Sequence, residues 1–469
     1  MGVTKRLLPN DAVFLLGESR ETMFHVAALL PFSPAADAPP DQMRQLMNQV
    51  RASSEVYPPW NLKLRTPEVL WNPLQSWVED PKLDIEYHVR RTALPTPGDE
   101  RELGIVVSRL HSYPVDFHRP PWEAHLIEGL EGGRFAFYVK VHHSLIDGYS
   151  AVRVLARSLS KDPDERGRPL FFSLPPKAPE PARELKTEDE AVPLGFPDLF
   201  AAVKTQLGAA RTVAGTLRSV YNQLRSGERD LMTPMRAPKC ILNGRISRSR
   251  RFATQRLELD RIKAVAQAAG ATVNDVVMAL SGASLRRYLL ELDALPATPL
   301  VAMVPVNIRP KDDPGGGNAV GAILASLGTH LADPAARLQA VVASTKKAKE
   351  QLQGLSKSAI VQYSALLLTP FLLQTLPGAA SWVPPTFNVV ISNVPGPDDT
   401  LYFNGARLEA SYPMSIPVHG LALNITCSGY AGFLNFGFIG CRDTLPHLQR
   451  LAVYCKEALA ELEEAVLRR

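Results

Sequence analysis

Cysteine is scarce in this chain of 469 residues. Its four thiols, Cys240, Cys427, Cys441 and Cys455, are widely scattered and form no CxxC pair. That argues against a zinc site or a disulfide framework and makes a reducing cytoplasm the default. No uncharged apolar run reaches the roughly 18 residues that a membrane-spanning helix needs. The richest stretch, 359–380, is interrupted by Gln362, Tyr363, Ser364, Thr369, Pro370 and Gln374. The N-terminus carries two early cations without the long apolar segment and cleavage site of a signal peptide. Two catalytic signatures are missing as well: HExxH of the zinc proteases and the G-x-S-x-G elbow of serine hydrolases. Nor does one sign of charge dominate, since 52 Lys and Arg against 47 Asp and Glu leave only +5. So mild a balance selects no partner.

What is present is a globular composition, 45% hydrophobic and 21% charged. The chain is too long for one ordinary core of about 100–200 residues, so two domains or one double-sized α/β unit are expected. Its 40 prolines are densest between Pro163 and Pro197, where proline mixed with charge reads as an extended connection. Before it, Phe135, Phe137, Val139 and Val141 repeat with the period of a strand, and Val152, Leu155 and Leu159 follow at helix spacing. Beyond it, an amphipathic helix is expected over about 198–226, with Lys204, Arg211, Arg218 and Arg225 recurring beside its apolar stripe. The second half repeats the mixed pattern: two helices split near Gly270–Thr272, strands at 299–308, 387–392 and 422–430, and a closing helix from about Leu445 to Leu467 capped by Thr444. Charge is uneven along the chain. Between 201 and 260, 12 Lys and Arg stand against 4 Asp and Glu, a local excess of 12 − 4 = +8.

The sharpest signal is His142-His143-Ser144-Leu145-Ile146-Asp147-Gly148, placed where a strand ends and a helix begins. A match to HHxxxDG arises by chance in such a chain roughly once in a thousand, so the motif is informative. Asp147 is suited to cap the helix, Gly148 permits a tight backbone, and an imidazole at the junction titrates in the range for taking a proton near neutral pH. Against this stands the bland alternative that both histidines are structural. A metal site is disfavoured, because neighbouring residues on a strand point to opposite faces and no single ion would gather both rings.

HHSLIDG resembles the active-site motif of the HHxxxDG coenzyme A-dependent acyltransferase superfamily. Further segments, LLPNDAVFLLGES at the start, RPPWEAHLIEGL, TVNDVVMAL, VPVNIRP and SNVPGP, resemble the bacterial wax ester synthase/diacylglycerol acyltransferase family, in the family's order and over almost the full length. RPPW departs from the commoner Pro-Leu-Trp form at Pro121, whose role is read as structural. The resemblance implies two chloramphenicol-acetyltransferase-like α/β domains, mixed sheets flanked by helices, with a substrate tunnel between them. Their expected bounds are 1–178 and 239–469, joined by a connection over 179–238 that holds the basic helix. It implies that His143 is the general base, that His142 supports packing, that Asp147 holds the loop and that Gly148 gives the tunnel clearance. Asn274 and Asp275 would position or stabilise from the second domain, and Ser392, Asn393 and Gly396 would line or shape the tunnel, or else form a proline-bracketed turn ending a strand.

The implied reaction moves a long-chain acyl group from acyl-CoA, a substrate rather than a cofactor, to a fatty alcohol or diacylglycerol, with no metal. Two rivals remain open: a condensation-type transfer from a carrier-bound donor, and a catalytically silent lipid-binding protein of the same fold. The absence of carrier regions speaks against the first, the intact motif against the second. The basic helix is either the solvated flank of an interdomain element or a cationic edge drawing the protein to anionic lipid. Some of its cations, or Arg245 to Arg251, could instead meet the phosphates of coenzyme A. Nucleic acid is disfavoured, because no aromatic-basic motif accompanies the charge. The expected location is cytoplasmic, peripheral to the inner membrane or lipid inclusions.

Overall fold

The computed structural model describes residues 5–7, 9–53, 55–70, 72, 74–146, 148–175, 237–307, 320–353 and 384–468. The expected basic helix and almost all of the 179–238 connection lie outside these residues. The first half runs β1 (Lys5–Arg6), α1 (Pro9–Leu16), β2 (His25–Ser33), α2 (Gln42–Ala52), β3 (Leu62–Leu64), β4 (Ser76–Glu79) and α3 (Ile85–His88). It continues through β5 (Val89–Ala93), α4 (Glu100–His111), β6 (Trp122–Glu128), β7 (Phe135–His142) and α5 (Gly148–Arg157). The second half begins with β8 (Arg250–Glu258), α6 (Leu259–Ala268), α7 (Val273–Glu291), β9 (Val301–Asn307), β10 (Val320–Ser326) and α8 (Pro334–Gln353). Strands β11 (Val389–Val394), β12 (Tyr402–Phe403), β13 (Ala406–Leu408), β14 (Tyr412–Met414), β15 (Leu423–Tyr430) and β16 (Phe433–Cys441) precede the last helix, α9 (Arg450–Leu467).

Two mixed sheets result, bearing out the α/β expectation. One has the order β12-β13-β2-β7-β6-β5, with β14 also paired to β2, and only its β5–β6 ladder is parallel. The other runs β10-β9-β11-β15-β16-β8, with β11 parallel to both neighbours. Strand β7 lies inside the first sheet and is buried along its whole length. Phe135, Phe137, Val139 and Val141 face one core, as their spacing predicts. The intervening Tyr138, Lys140 and His142 are buried too, because α4 covers the other face.

Helix α4 is clamped between the halves. Leu103, Val106 and Val107 pack with Ala27, Leu29 and Tyr138 on one side and with Phe252 and Ile439 on the other. Its serines also satisfy the free edge of β8: Ser108 Oγ accepts the Phe252 N–H at 2.9 Å and Ser112 Oγ that of Arg250 at 2.8 Å. Covering an edge strand in this way removes an open pairing template. The second half reciprocates, since β13 and β14 extend the first sheet by pairing with β2.

One boundary differs from expectation. The closing helix starts at Arg450 with Gln449 as its cap, not after Thr444. The Thr444 hydroxyl is already spent on the Arg245 carbonyl at 2.6 Å, and His447 takes a positive φ of 54° just after Pro446, which a continuous helix cannot contain.

Candidate active site

The motif lies where its pattern predicts, at the end of β7 and before α5. Its two histidines are treated very differently. The His142 ring is fully buried, and both of its nitrogens are engaged. Nδ1 accepts from Ser144, whose Oγ lies 2.6 Å and whose backbone N 3.3 Å away. Nε2 therefore carries the proton and donates to Glu18 Oε2 at 3.3 Å. Phe117 packs edge-on to the same ring, with centroids 4.9 Å apart. The His142 backbone N–H bonds to the Pro121 carbonyl at 2.9 Å, and Trp122 beside it is buried and donates its indole N–H to Trp60. RPPW is thus packed as a structural wall.

His143 lies one residue past the strand and is half-buried. Its imidazole lies against the Phe14 ring of α1, centroids 4.2 Å apart and planes tilted by 34°, and its backbone N–H bonds to the Phe24 carbonyl at 2.8 Å. The opening segment of the chain builds this environment. Phe14 is the ring partner, and Gly17 leaves room for the Phe24 ring, which a Cβ would meet at 2.7 Å. Glu18 Oε2 also accepts the Phe24 N–H at 2.7 Å. A single carboxylate oxygen therefore holds both the His142 ring and the loop that positions His143. Nothing in the spacing of Phe14, Glu18, Phe24 and Phe117 signals these roles, since long sequence separations bring them together.

Beneath the motif lies a buried polar network. His25, paired with His142 across the β2–β7 ladder, bonds through Nε2 to the His111 carbonyl at 3.0 Å, and His111 Nδ1 meets the Tyr138 hydroxyl at 2.9 Å. Burial, with the nearby Lys140, pushes both imidazoles well below their usual range. Lys140 pairs with Glu123 and donates to the carbonyls of Leu110 and Tyr113 at 3.0 and 2.8 Å. It thereby caps the C-terminal end of α4, where a cation is favoured.

The remaining candidates that the structure describes lie on other elements than His143. Asp147 and the side-chain surroundings of Gly148 fall outside the description. Asn274 and Asp275 begin α7, where Asp275 closes a capping box with Thr272 and accepts from Thr345 Oγ1 of α8 at 2.7 Å. That helix packs on the face of the second sheet formed by Ala302 and Val304. The opposite face, with Met303 and Val390, is the one that meets Phe24. Ser392 is half-buried near the end of β11, and Asn393 is exposed. At Gly396 a Cβ would lie 2.0 Å from the Gly429 carbonyl, so glycine is needed where the chain leaving β11 runs close beside the end of β15. Among the described residues no group of three or more His, Cys, Asp or Glu is disposed to hold a metal ion, and no helix is long and apolar enough to cross a membrane.

Residues 7–277 match the wax ester synthase/diacylglycerol acyltransferase catalytic domain, and residues 316–463 the C-terminal domain of that family. A Mycobacterium tuberculosis protein named as a diacylglycerol O-acyltransferase is 54% identical over 485 residues, covering 98% of this chain and 97% of that one. The O-acyltransferase WSD of Acinetobacter baylyi is 38% identical, over 98% of this chain and 97% of its own. Among solved structures, the wax ester synthase/diacylglycerol acyltransferase of Marinobacter aquaeolei superposes with a TM-score of 0.77 at 43% identity, over 98% and 99% of the two chains. The first condensation domain of the calcium-dependent antibiotic synthetase shares the fold, with a TM-score of 0.58 at 18% identity over 99% and 96%. Two family models in sequence order and full-length relatives at this identity decide the matter: the chain belongs to the wax ester synthase/diacylglycerol acyltransferase family.

Proposed function

We propose that this protein transfers a long-chain acyl group from acyl-CoA to the hydroxyl of a fatty alcohol or diacylglycerol, with His143 as general base. One observation carries the assignment of the base. His142 has both ring nitrogens committed to Ser144 and Glu18 inside a sealed pocket, whereas His143 is half-buried on an aromatic shelf beyond the strand. Of the two residues, His142 has no exposed surface and His143 is the one left partly open. As the alcohol oxygen attacks the thioester carbonyl, its proton passes to the His143 imidazole. The C–S bond then breaks, and the departing thiolate takes that proton back, leaving an ester and free thiol. Deprotonation is concerted with attack, because an alcohol is far less acidic than imidazolium. A thioester is already activated, so no covalent acyl-enzyme is needed. Peripheral contact with a membrane or lipid surface belongs to this reading, because the acceptors are insoluble in water.

Thiol release from palmitoyl-CoA, measured with hexadecanol or dioleoylglycerol as acceptor, tests the reaction and ranks the acceptors. Replacing His143 with alanine is expected to lower turnover on the order of 100-fold or more. Near-normal turnover by that variant removes His143 from the role.

A further inference from the structure

On the side of α4 away from the first sheet's core lies a cleft of about 860 Å³, walled by α4, the start of β8 and the first turn of α9. Six arginines line it: Arg101 and Arg109 from α4, Arg248 just before β8, Arg250 and Arg251 at its start, and Arg442 after β16. Many arginines elsewhere on this surface sit on carboxylates, as Arg91 does on Glu128, Arg261 on Glu463 and Arg287 on Glu457. Those without such a partner among the described residues, Arg20, Arg65 and Arg407 included, are not gathered in this cleft. In the cleft the balance fails. Arg101, Arg109, Arg248 and Arg251 form no ion pair among the described residues, and Arg442 reaches only its chain neighbour Asp443 at 3.8 Å. The one carboxylate in the lining, Glu100, is held by Arg134 at 2.9 Å. Burial, with the charge of Arg442 beside it, pulls the Arg251 guanidinium down. Unpaired like charges held close together cost stability unless an anion joins them.

The cleft also has an apolar side. Ile105, Tyr113 and Val453 are among the large apolar side chains that this protein leaves exposed, and all three line it. Arg248 lies over the Tyr113 ring at 5.9 Å. A flat aromatic beside a fork of guanidiniums suits a ligand that combines a planar ring with phosphates. The volume is that of a small-molecule pocket, about 300–1,000 Å³. One loop separates this place from His143. Arg250, in the cleft floor, donates to the Glu21 carbonyl at 2.7 Å, and three residues on the Phe24 carbonyl holds His143.

From this juxtaposition we infer that the arginine cleft between α4 and β8 binds the phosphates and adenine of the coenzyme A donor, with the pantetheine arm passing the 18–24 loop toward His143. The inference rests on the acyl-CoA reading above. Phosphate esters could also come from anionic lipid headgroups; the concave shape and the aromatic side favour a nucleotide.

The test uses the full chain with two probes, coenzyme A in calorimetric titration and phosphatidylglycerol vesicles in flotation. Arg101→Glu/Arg248→Glu and Arg109→Glu/Arg442→Glu alter only exposed side chains, so two independent pairs probe one site without touching the core. Each pair should raise the Kd for coenzyme A about tenfold or more, with vesicle binding unchanged. The KM for palmitoyl-CoA should rise in step, while that for palmitoyl-pantetheine, which lacks the nucleotide, stays put. Unchanged coenzyme A affinity in both pairs overturns the assignment, as does loss of vesicle binding with coenzyme A affinity intact, which would give the cleft to a lipid headgroup. If neither thioester is turned over by the unmodified protein, the acyl-transfer reading fails instead, and the titration still decides what the cleft binds.

Discussion

Glu18 is the residue on which the arrangement of both histidines converges, and its replacement makes a quantitative test. Its Oε2 accepts from the Phe24 N–H at 2.7 Å and from His142 Nε2 at 3.3 Å, and its side chain is 6% exposed, so water does not take over when it is removed. Glu18→Ala strands two buried donors, each costing about 1–3 kcal/mol. The sum, about 2–6 kcal/mol, is a large share of the roughly 5–15 kcal/mol that stabilises a folded domain. Glu18→Gln keeps a carbonyl oxygen able to accept both bonds and loses only their charge assistance, so its cost should be less than half that of alanine. Turnover should fall further than stability alone explains. The Phe24 carbonyl carries the His143 backbone, and a displacement of about 1 Å at the reacting group costs on the order of 100-fold. Urea unfolding followed by tryptophan fluorescence, alongside thiol release at a temperature where both variants are folded, gives the two readouts. An alanine variant with an unchanged urea midpoint, or a glutamine variant as damaged as alanine, would refute the reasoning.

Two further outcomes follow from the buried network. Lys140→Met leaves Glu123, among the described residues, with only Arg90, at 3.4 Å, and strips the donor from the Leu110 and Tyr113 carbonyls; a loss of about 3 kcal/mol or more is expected, much of it recovered when Glu123→Leu is added, as a double-mutant cycle in urea would reveal. Burial pushes His125 down to about 4, so between that value and the free value near 6.5 the unfolded chain binds a proton that the folded one refuses. Stability is accordingly full above this window and lost as pH falls through it, about 2 kcal/mol by pH 5, and His125→Gln should flatten that part of the profile of urea midpoint against pH.

Local order was legible where local physics decides it. The alternating apolar residues of β7, the α6–α7 break at Gly270 and the β9, β11 and β15 runs each carry their own period, and the structure follows them. The motif was legible for the same reason, since strand, turn and helix are contiguous, but the separate roles of its two histidines came only from the family resemblance. The start of α9 was misread because capping is decided by competition. Thr444 is a good cap in isolation, yet the carbonyl of Arg245, brought from 199 residues away, takes its hydroxyl first. Asp275 was legible as chemistry and illegible as place. A carboxylate three residues after a threonine at a helix start is also what a capping box requires, and that is where its oxygens are spent.

What no pattern could announce is how the halves are joined, and the joining bears on catalysis. β13 and β14 are too short to show a period, at three residues each, yet they extend the sheet that holds β7. α4 is held by β7 through Lys140 and by β8 through Ser108 and Ser112. Arg250, the first residue of β8, then reaches back to Glu21 in the loop that carries Glu18 and Phe24. The second half therefore grips the His143 surroundings from two directions, through a sheet edge and through this loop. Because Arg250 lies in the floor of the arginine cleft as well, a ligand that drew those guanidiniums inward would bear on the segment that holds the proposed base. Occupancy of the cleft would in this way be felt at His143 through one side chain.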